Sequence, residues 1–172
     1  MRIPLDVLCV KTGVLCPRCQ SLVKNGSVKD YEVDVMRELL ELEETPEFRF
    51  LKEVEYVRSI MSEGATVVIL QEPKSNSPDP RALSKLGWML SERLGSKTKV
   101  IVNTKDLKEV VKQIVFPARI TSVNTVWLPD GSIEYVVRVP RFELKNLPFR
   151  RREVIENLLT QITGNVVKIR SD

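Results

Sequence analysis

The chain has 172 residues; a hydrophobic fraction of 42% supports a buried core, while only 6% aromatic residues leaves little material for broad base-stacking platforms. It contains no histidine, which removes the commonest general base and the commonest nitrogen ligand for a metal. The net charge of +4 is unevenly spread: residues 1–29 carry +4, residues 30–63 carry −7 and residues 64–172 carry +7, a division that fits a basic face for nucleic acid and equally fits solubility alone.

The first 28 residues predict a compact head punctuated by Gly13, Pro17 and Gly26. It holds all three cysteines, Cys9, Cys16 and Cys19. A charged, apolar and small-residue order typical of a signal peptide is missing, as is any run of 18 apolar residues, so a cytoplasmic protein without a membrane span is expected. A helix is predicted over 29–44, with Val33, Met36, Leu39 and Leu40 at helical spacing, Ser27 or Asp30 as cap and Pro46 as stop. The plain account of its acidic side is a wet face, and the other is a dock for a basic partner. Two strand-like runs follow, 48–60 with mixed alternation and 65–70 continuously apolar, joined at Glu63-Gly64. A loop over 72–79 leads to a helix over 80–94, with Pro80 in its first turn, Leu83, Leu86, Leu90 and Leu94 as its stripe and Gly95 as its stop. Gly87 falls inside this helix, where glycine costs about 1 kcal/mol against alanine, which points to close packing. A strand over 99–102 ends this part of the chain.

The next part repeats the order. A helix is predicted over 104–115, capped by Thr104 and ended by Pro117. A hairpin follows, 120–128 with 132–139 around Pro129-Asp130-Gly131. A loop over 140–148, a helix over 149–163 and a strand over 166–169 complete it. The two halves align at an offset of 69 residues: Gly95 falls on Gly164, and Leu86 and Leu90 fall on Ile155 and Leu159. Each half reads helix, strand, strand, loop, helix, strand, and each loop has room for a short extra helix. The expected fold class is α+β, with a short cysteine-containing segment (1–28) followed by two small duplicated domains, 29–103 and 104–172. Duplication of so small a unit favours a tandem surface over one buried catalytic pocket.

This tandem αββααβ order is similar to two type II KH domains. The run Cys9-Val10-Lys11-Thr12-Gly13-Val14-Leu15-Cys16-Pro17-Arg18-Cys19-Gln20 resembles the opening of archaeal NusA-like transcription factors, and Phe116-Pro117-Ala118-Arg119-Ile120 resembles that family's segment between its KH units. The resemblance covers essentially the whole chain. It implies single-stranded RNA as partner, a place in transcription elongation or termination, and RNA polymerase as a further partner. One departure matters: KH domains grip nucleic acid with a Gly-x-x-Gly loop. The matching stretches here, Pro78-Asp79-Pro80-Arg81-Ala82-Leu83-Ser84 and Lys145-Asn146-Leu147-Pro148-Phe149-Arg150-Arg151, contain no glycine.

Basic residues nonetheless stand where such a cleft needs them. Candidate RNA contacts are Lys74, Arg81, Lys85, Arg93 and Lys97 in the first half, and Lys145, Arg150, Arg151 and Arg152 in the second. These side chains would pair with phosphates, raising affinity without reading sequence; otherwise they are solvated helix starts. The spacing C-x6-C-x2-C with Asp6 three positions before Cys9 reads as D-x2-C…C-x2-C, a four-ligand structural zinc pattern with a carboxylate in the first place. A metal-free turn with packed thiols and a disulfide are the other readings. Trp88 and Trp127 are expected as core anchors. With no P-loop, no Gly-x-Gly-x-x-Gly and no Gly-x-Ser-x-Gly, neither catalysis nor a small-molecule substrate is expected. A protein–protein adaptor of the polymerase or ribosome, keeping the KH scaffold without binding RNA, is the alternative that the missing glycines favour.

Overall fold

In the computed structural model, which describes residues 1–73 and 77–172, the chain divides into two units: residues 1–59 with 67–103, and residues 60–66 with 104–172. It is a mixed α+β protein with two three-stranded sheets. No helix among the described residues is long and apolar enough to cross a membrane.

The first unit opens with two short helices, α1 (Val7–Thr12) and α2 (Pro17–Lys24), where the sequence predicts only turns. Leu5, Cys9, Val10, Cys19 and Val28 are buried in the same core as the next helix, α3 (Asp30–Glu43), so the head packs as part of this unit. Arg37 of α3 ties the two together by donating from Nε to the Val10 carbonyl at 3.0 Å. Neither Ser27 nor Asp30 caps α3; the cap position is Lys29, whose N–H donates to the Glu32 carboxylate at 2.7 Å. That is the glutamate half of a capping box, which satisfies a donor that the helix start leaves over.

The predicted strand over 48–60 is two elements. A 3₁₀ segment, Pro46–Glu53, comes first and β1 (Glu55–Ser62) follows. The mixed alternation has a simple cause: Phe48 and Leu51 are buried at the three-residue spacing of a 3₁₀ turn, and Tyr56 and Ile60 are buried from the strand. β2 (Ala65–Gln71) is buried at every position from Ala65 to Leu70, which explains its uninterrupted apolar run. Helix α4 (Pro80–Leu94) starts at Asp79, whose side chain accepts from the Arg81 N–H, and stops at Gly95 with φ +71°. β3 (Lys97–Val102) completes a sheet in the order β1-β2-β3. Gly87 lies where α4 meets β3: a Cβ there would stand 3.1 Å from the Thr98 carbonyl oxygen.

Glu32 is also the centre of a buried polar network. Its Oε1 accepts from the Tyr56 hydroxyl and from the Ser59 N–H, both at 2.8 Å, and Tyr56 shares a further bond with the Ser59 hydroxyl. Burial drives the Tyr56 phenol well above its ordinary pKa, so it is a permanent donor. Glu32→Ala would leave these buried donors without their shared acceptor. We expect it to lower the stability of the first unit by about 3 kcal/mol in urea unfolding, with Glu32→Gln milder because one acceptor remains.

In the second unit, α5 (Leu107–Val115) is capped by Asp106, not Thr104. β4 (Ser122–Trp127) and β5 (Ile133–Val139) form the expected antiparallel hairpin, with Ser122 opposite Arg138 and Trp127 opposite Ile133. A 3₁₀ segment, Arg141–Asn146, leads to α6 (Arg152–Thr163), and β6 (Val166–Ser171) returns parallel to β5. Helix α6 packs on β6 and on α5, burying Val154, Ile155, Leu158 and Leu159 with Val137, Val139, Val167 and Ile169. The helix predicted over 149–163 thus begins three residues later. Phe149 and Arg150 lie instead in the left-handed region, at φ +64° and +57°.

The offset of 69 residues carries through to the atoms. Gly164 ends α6 at φ +77° as Gly95 ends α4. The Ser91 hydroxyl donates to the Gly87 carbonyl and accepts from the Thr98 N–H at 2.8 Å; Thr160, 69 residues on, donates to the Glu156 carbonyl and accepts from the Val167 N–H at 3.2 Å. The copies diverge at Gly87, where the second has Glu156, whose side chain accepts from the Ile169 N–H at 2.8 Å.

Both tryptophans contradict the expectation of core anchors. Trp88 is 61% exposed and Trp127 is 72% exposed. At 100° per residue, position 88 stands about 160° from the buried Leu90 around the helix, on its wet side. Trp127 is the last residue of β4, where the hairpin leaves the core.

Candidate functional site

The head gathers one cluster. Asp6 is the cap residue of α1 and Cys9 lies one turn inside it; Cys16 is the cap residue of α2 and Cys19 lies one turn inside that. Two similar helix starts therefore face each other with four donor atoms. The Asp6 carboxylate oxygen and the three sulfurs all lie within 4.8 Å of one another. Cys16 Sγ is 3.4 Å and Cys19 Sγ 3.8 Å from Asp6 Oδ2. Tetrahedral zinc with bonds of about 2.3 Å to sulfur needs ligand separations of roughly 3.8 Å, so small side-chain adjustments would suffice. Backbone donors support the sulfurs: the Asp6 N–H points to Cys19 Sγ at 3.3 Å and the Cys16 N–H to Cys9 Sγ at 3.4 Å. All three are free thiols. Bonds from Cys19, backbone first, lower the pKa of Cys16. At Cys19 the Asp6 N–H works the same way, but burial and the neighbouring thiols outweigh it and raise the pKa to about 11.

The second candidate group surrounds the start of α6. Lys145, Arg150, Arg151 and Arg152 are all exposed. Arg151 pairs with Glu63 at 3.0 Å, while Lys145, Arg150 and Arg152 have no carboxylate partner among the described residues. Only Arg152 lies in the first helical turn; Arg151 is the cap and Arg150 precedes it, so the three do not all oppose the helix dipole.

In the first unit the candidates separate. Arg81 and Lys97 are exposed and without an ion pair among the described residues. Lys85 pairs with Glu47. Arg93 is held by Glu38 at 3.0 Å and Glu41 at 2.9 Å, and these carboxylates raise its pKa further. The acidic side of α3 is thus partly occupied by the chain's own arginine. Lys74 lies outside the described residues.

Burial lowers the pKa of Lys99 to about 8. Because the unfolded chain binds more protons between that value and the ordinary lysine pKa, stability rises with pH through the window from about 8 to about 10.5. Lys99→Met is expected to raise stability at pH 7 by about 2 kcal/mol, allowing for partial exposure, and to flatten that pH dependence in thermal unfolding.

Sequence reasoning does not single out Arg138, Lys168 or Arg170, because alternation assigns residues to faces of a strand but not to partners across strands. Nor does it find the Glu32 network, whose members are 24 and 27 residues apart.

No family model matches the chain, and no curated protein matches it. Seventy-four solved chains do. One of them, described as "Crystal structure of APE1850", is 22% identical, covers 71% of this chain and 93% of its own length, and has a TM-score of 0.48.

Proposed function

We propose that the protein is an RNA-binding factor of transcription elongation or termination, resembling archaeal NusA-like factors, and that it works in the cytoplasm through two type II KH units that lack the Gly-x-x-Gly loop. One observation carries the reading. In the stretch where that loop is expected, Phe149 and Arg150 hold consecutive left-handed conformations, which favour glycine. A strained backbone of this kind, kept without glycine and followed by Arg151 and Arg152, has a reason if the loop must approach a phosphate chain closely. RNA polymerase is the further partner that the resemblance implies.

The test is binding of labelled single-stranded RNA by the wild type and by an Arg150→Glu, Arg151→Glu, Arg152→Glu variant between about 50 and 300 mM salt. The wild type should bind weakly and lose affinity steeply with salt. Affinity that is flat with salt, or equal in the variant, sinks the reading. The adaptor reading draws support from Trp88 and Phe142, 61% and 70% exposed, and from the internal pairing of Lys85 and Arg93. Polymerase or ribosomal partners retained after ribonuclease treatment, with no RNA bound, would favour it.

The Asp6, Cys9, Cys16 and Cys19 cluster we read as a structural zinc site. When bound, zinc would cross-link the two helix starts of the head and hold α1 and α2 on α3; it has no catalytic part in this reading.

A further inference from the structure

The second sheet has one face packed by helices and one open. Val137 and Val139 of β5 and Val167 and Ile169 of β6 are fully buried on the packed face. Side chains alternate along a strand, so Arg138, Lys168 and Arg170 project from the opposite face. The register aligns them. Arg138 is paired directly with Arg170, with Ser122 on its other side; the next row is Asn124, Val136 and Lys168.

Like charges directly opposite each other across strands destabilise a sheet. Here the Arg138–Arg170 pair has no compensating ion pair among the described residues, and neither has Lys168. Two acidic groups share this face: Glu134, one row beyond Val136, and Asp172 at the chain end, whose Oδ2 accepts from the Thr121 hydroxyl at 2.6 Å. Neither forms an ion pair with the three cations. Same-face residues two apart along a strand repeat about every 6.6 Å, a spacing comparable with that of successive phosphates on an extended nucleic acid strand. Ser122 and Asn124 add hydrogen-bonding groups beside the cations.

We infer that this open face, Arg138 with Arg170 and Lys168, is a second binding surface for the phosphodiester backbone of a single-stranded nucleic acid. The inference rests on the reading of the chain as an RNA-binding factor, and it extends that reading from the α6 loop to a separate face. The local cost of facing arginines is offset when anions lie between them. Phosphates do this along a continuous path, and no base contact is required, so the surface adds affinity without sequence preference.

The experiment titrates a fluorescein-labelled oligouridylate into the wild type, the α6 loop variant above, and an Arg138→Gln, Lys168→Gln, Arg170→Gln variant over a range of salt. Neutralising three phosphate contacts on a single strand should flatten the dependence of log affinity on log salt by about 2. Affinity at low salt should fall at least tenfold, with the loop intact. Lys168→Gln alone should flatten the slope by about 0.7, which keeps the test open if the triple variant folds poorly. Arg170→Thr should raise the midpoint of thermal unfolding slightly while weakening binding. A sheet variant with wild-type affinity and slope, when the wild type does bind RNA and the loop variant does not, overturns this inference and leaves the loop reading standing. An acidic protein lost by the sheet variant with RNA affinity unchanged also overturns it. No binding of RNA by the wild type removes both.

Discussion

If Asp6, Cys9, Cys16 and Cys19 hold zinc as proposed, stripping it is expected to lower the midpoint of thermal unfolding by about 12 °C. The figure follows from linkage: a ligand present at about 1,000 times its dissociation constant stabilises the folded state by about 4 kcal/mol, and a chain of this size shifts by roughly 3 °C per kcal/mol. The mechanism is local. Cys9 and Cys19 are buried in the core that contains Val10, Met36 and Leu39, so losing the cross-link loosens the packing of α1 and α2 on α3. Chelator titration followed by calorimetry measures the shift, and metal analysis of the purified protein measures the stoichiometry. Cobalt substitution should give a thiolate charge-transfer band and the visible bands of a tetrahedral site. Asp6→Cys should strengthen the charge-transfer band, since a fourth thiolate replaces the carboxylate. Protein that carries no metal, binds no cobalt and unfolds at the same temperature with chelator would remove the zinc reading.

Arg150→Gly should have two effects of opposite sign. Arg150 sits at φ +57° and is exposed, so its conformation costs about 1–2 kcal/mol and its side chain contributes little packing. Glycine adopts this region freely, but it raises the entropy of the unfolded chain by an equivalent of about 0.5–1 kcal/mol. A net gain in stability of about 0.5–1 kcal/mol is expected from denaturant unfolding. RNA affinity should nevertheless fall several-fold, with a salt slope flatter by about 0.7, because one phosphate contact is lost. Opposed changes would mark Arg150 as a residue kept for binding at a cost to the fold. Stability that rises with affinity unchanged would leave the strain without a functional account.

Elements whose signal is local were legible. The stripe of α4, the hairpin around Pro129-Asp130-Gly131 and the two helix-ending glycines follow from periodicity and turn chemistry that any isolated segment carries. The cysteine cluster was legible as a spacing: Asp6 and Cys16 each stand three residues before a cysteine, and the structure makes both of them cap residues. The start of α6 was not. Three consecutive arginines resemble a helix start, but Phe149 and Arg150 leave the helical region through backbone angles to which no side-chain pattern points. Trp88 departs from expectation because size points to the core while the phase of its own helix points to solvent.

The sequence by itself determined that this chain repeats a helix–strand order, where most of its elements lie, and which four side chains could ligate a metal. Those properties follow from short spacings along the chain and from their recurrence 69 residues on. Tertiary structure alone decided which cations are already neutralised, as Arg93 is by Glu38 and Glu41, and which face one another, as Arg138 and Arg170 do. Pairing across helices and strands joins residues 32 to 55 positions apart, and register and packing set it, not the order of residues along the chain.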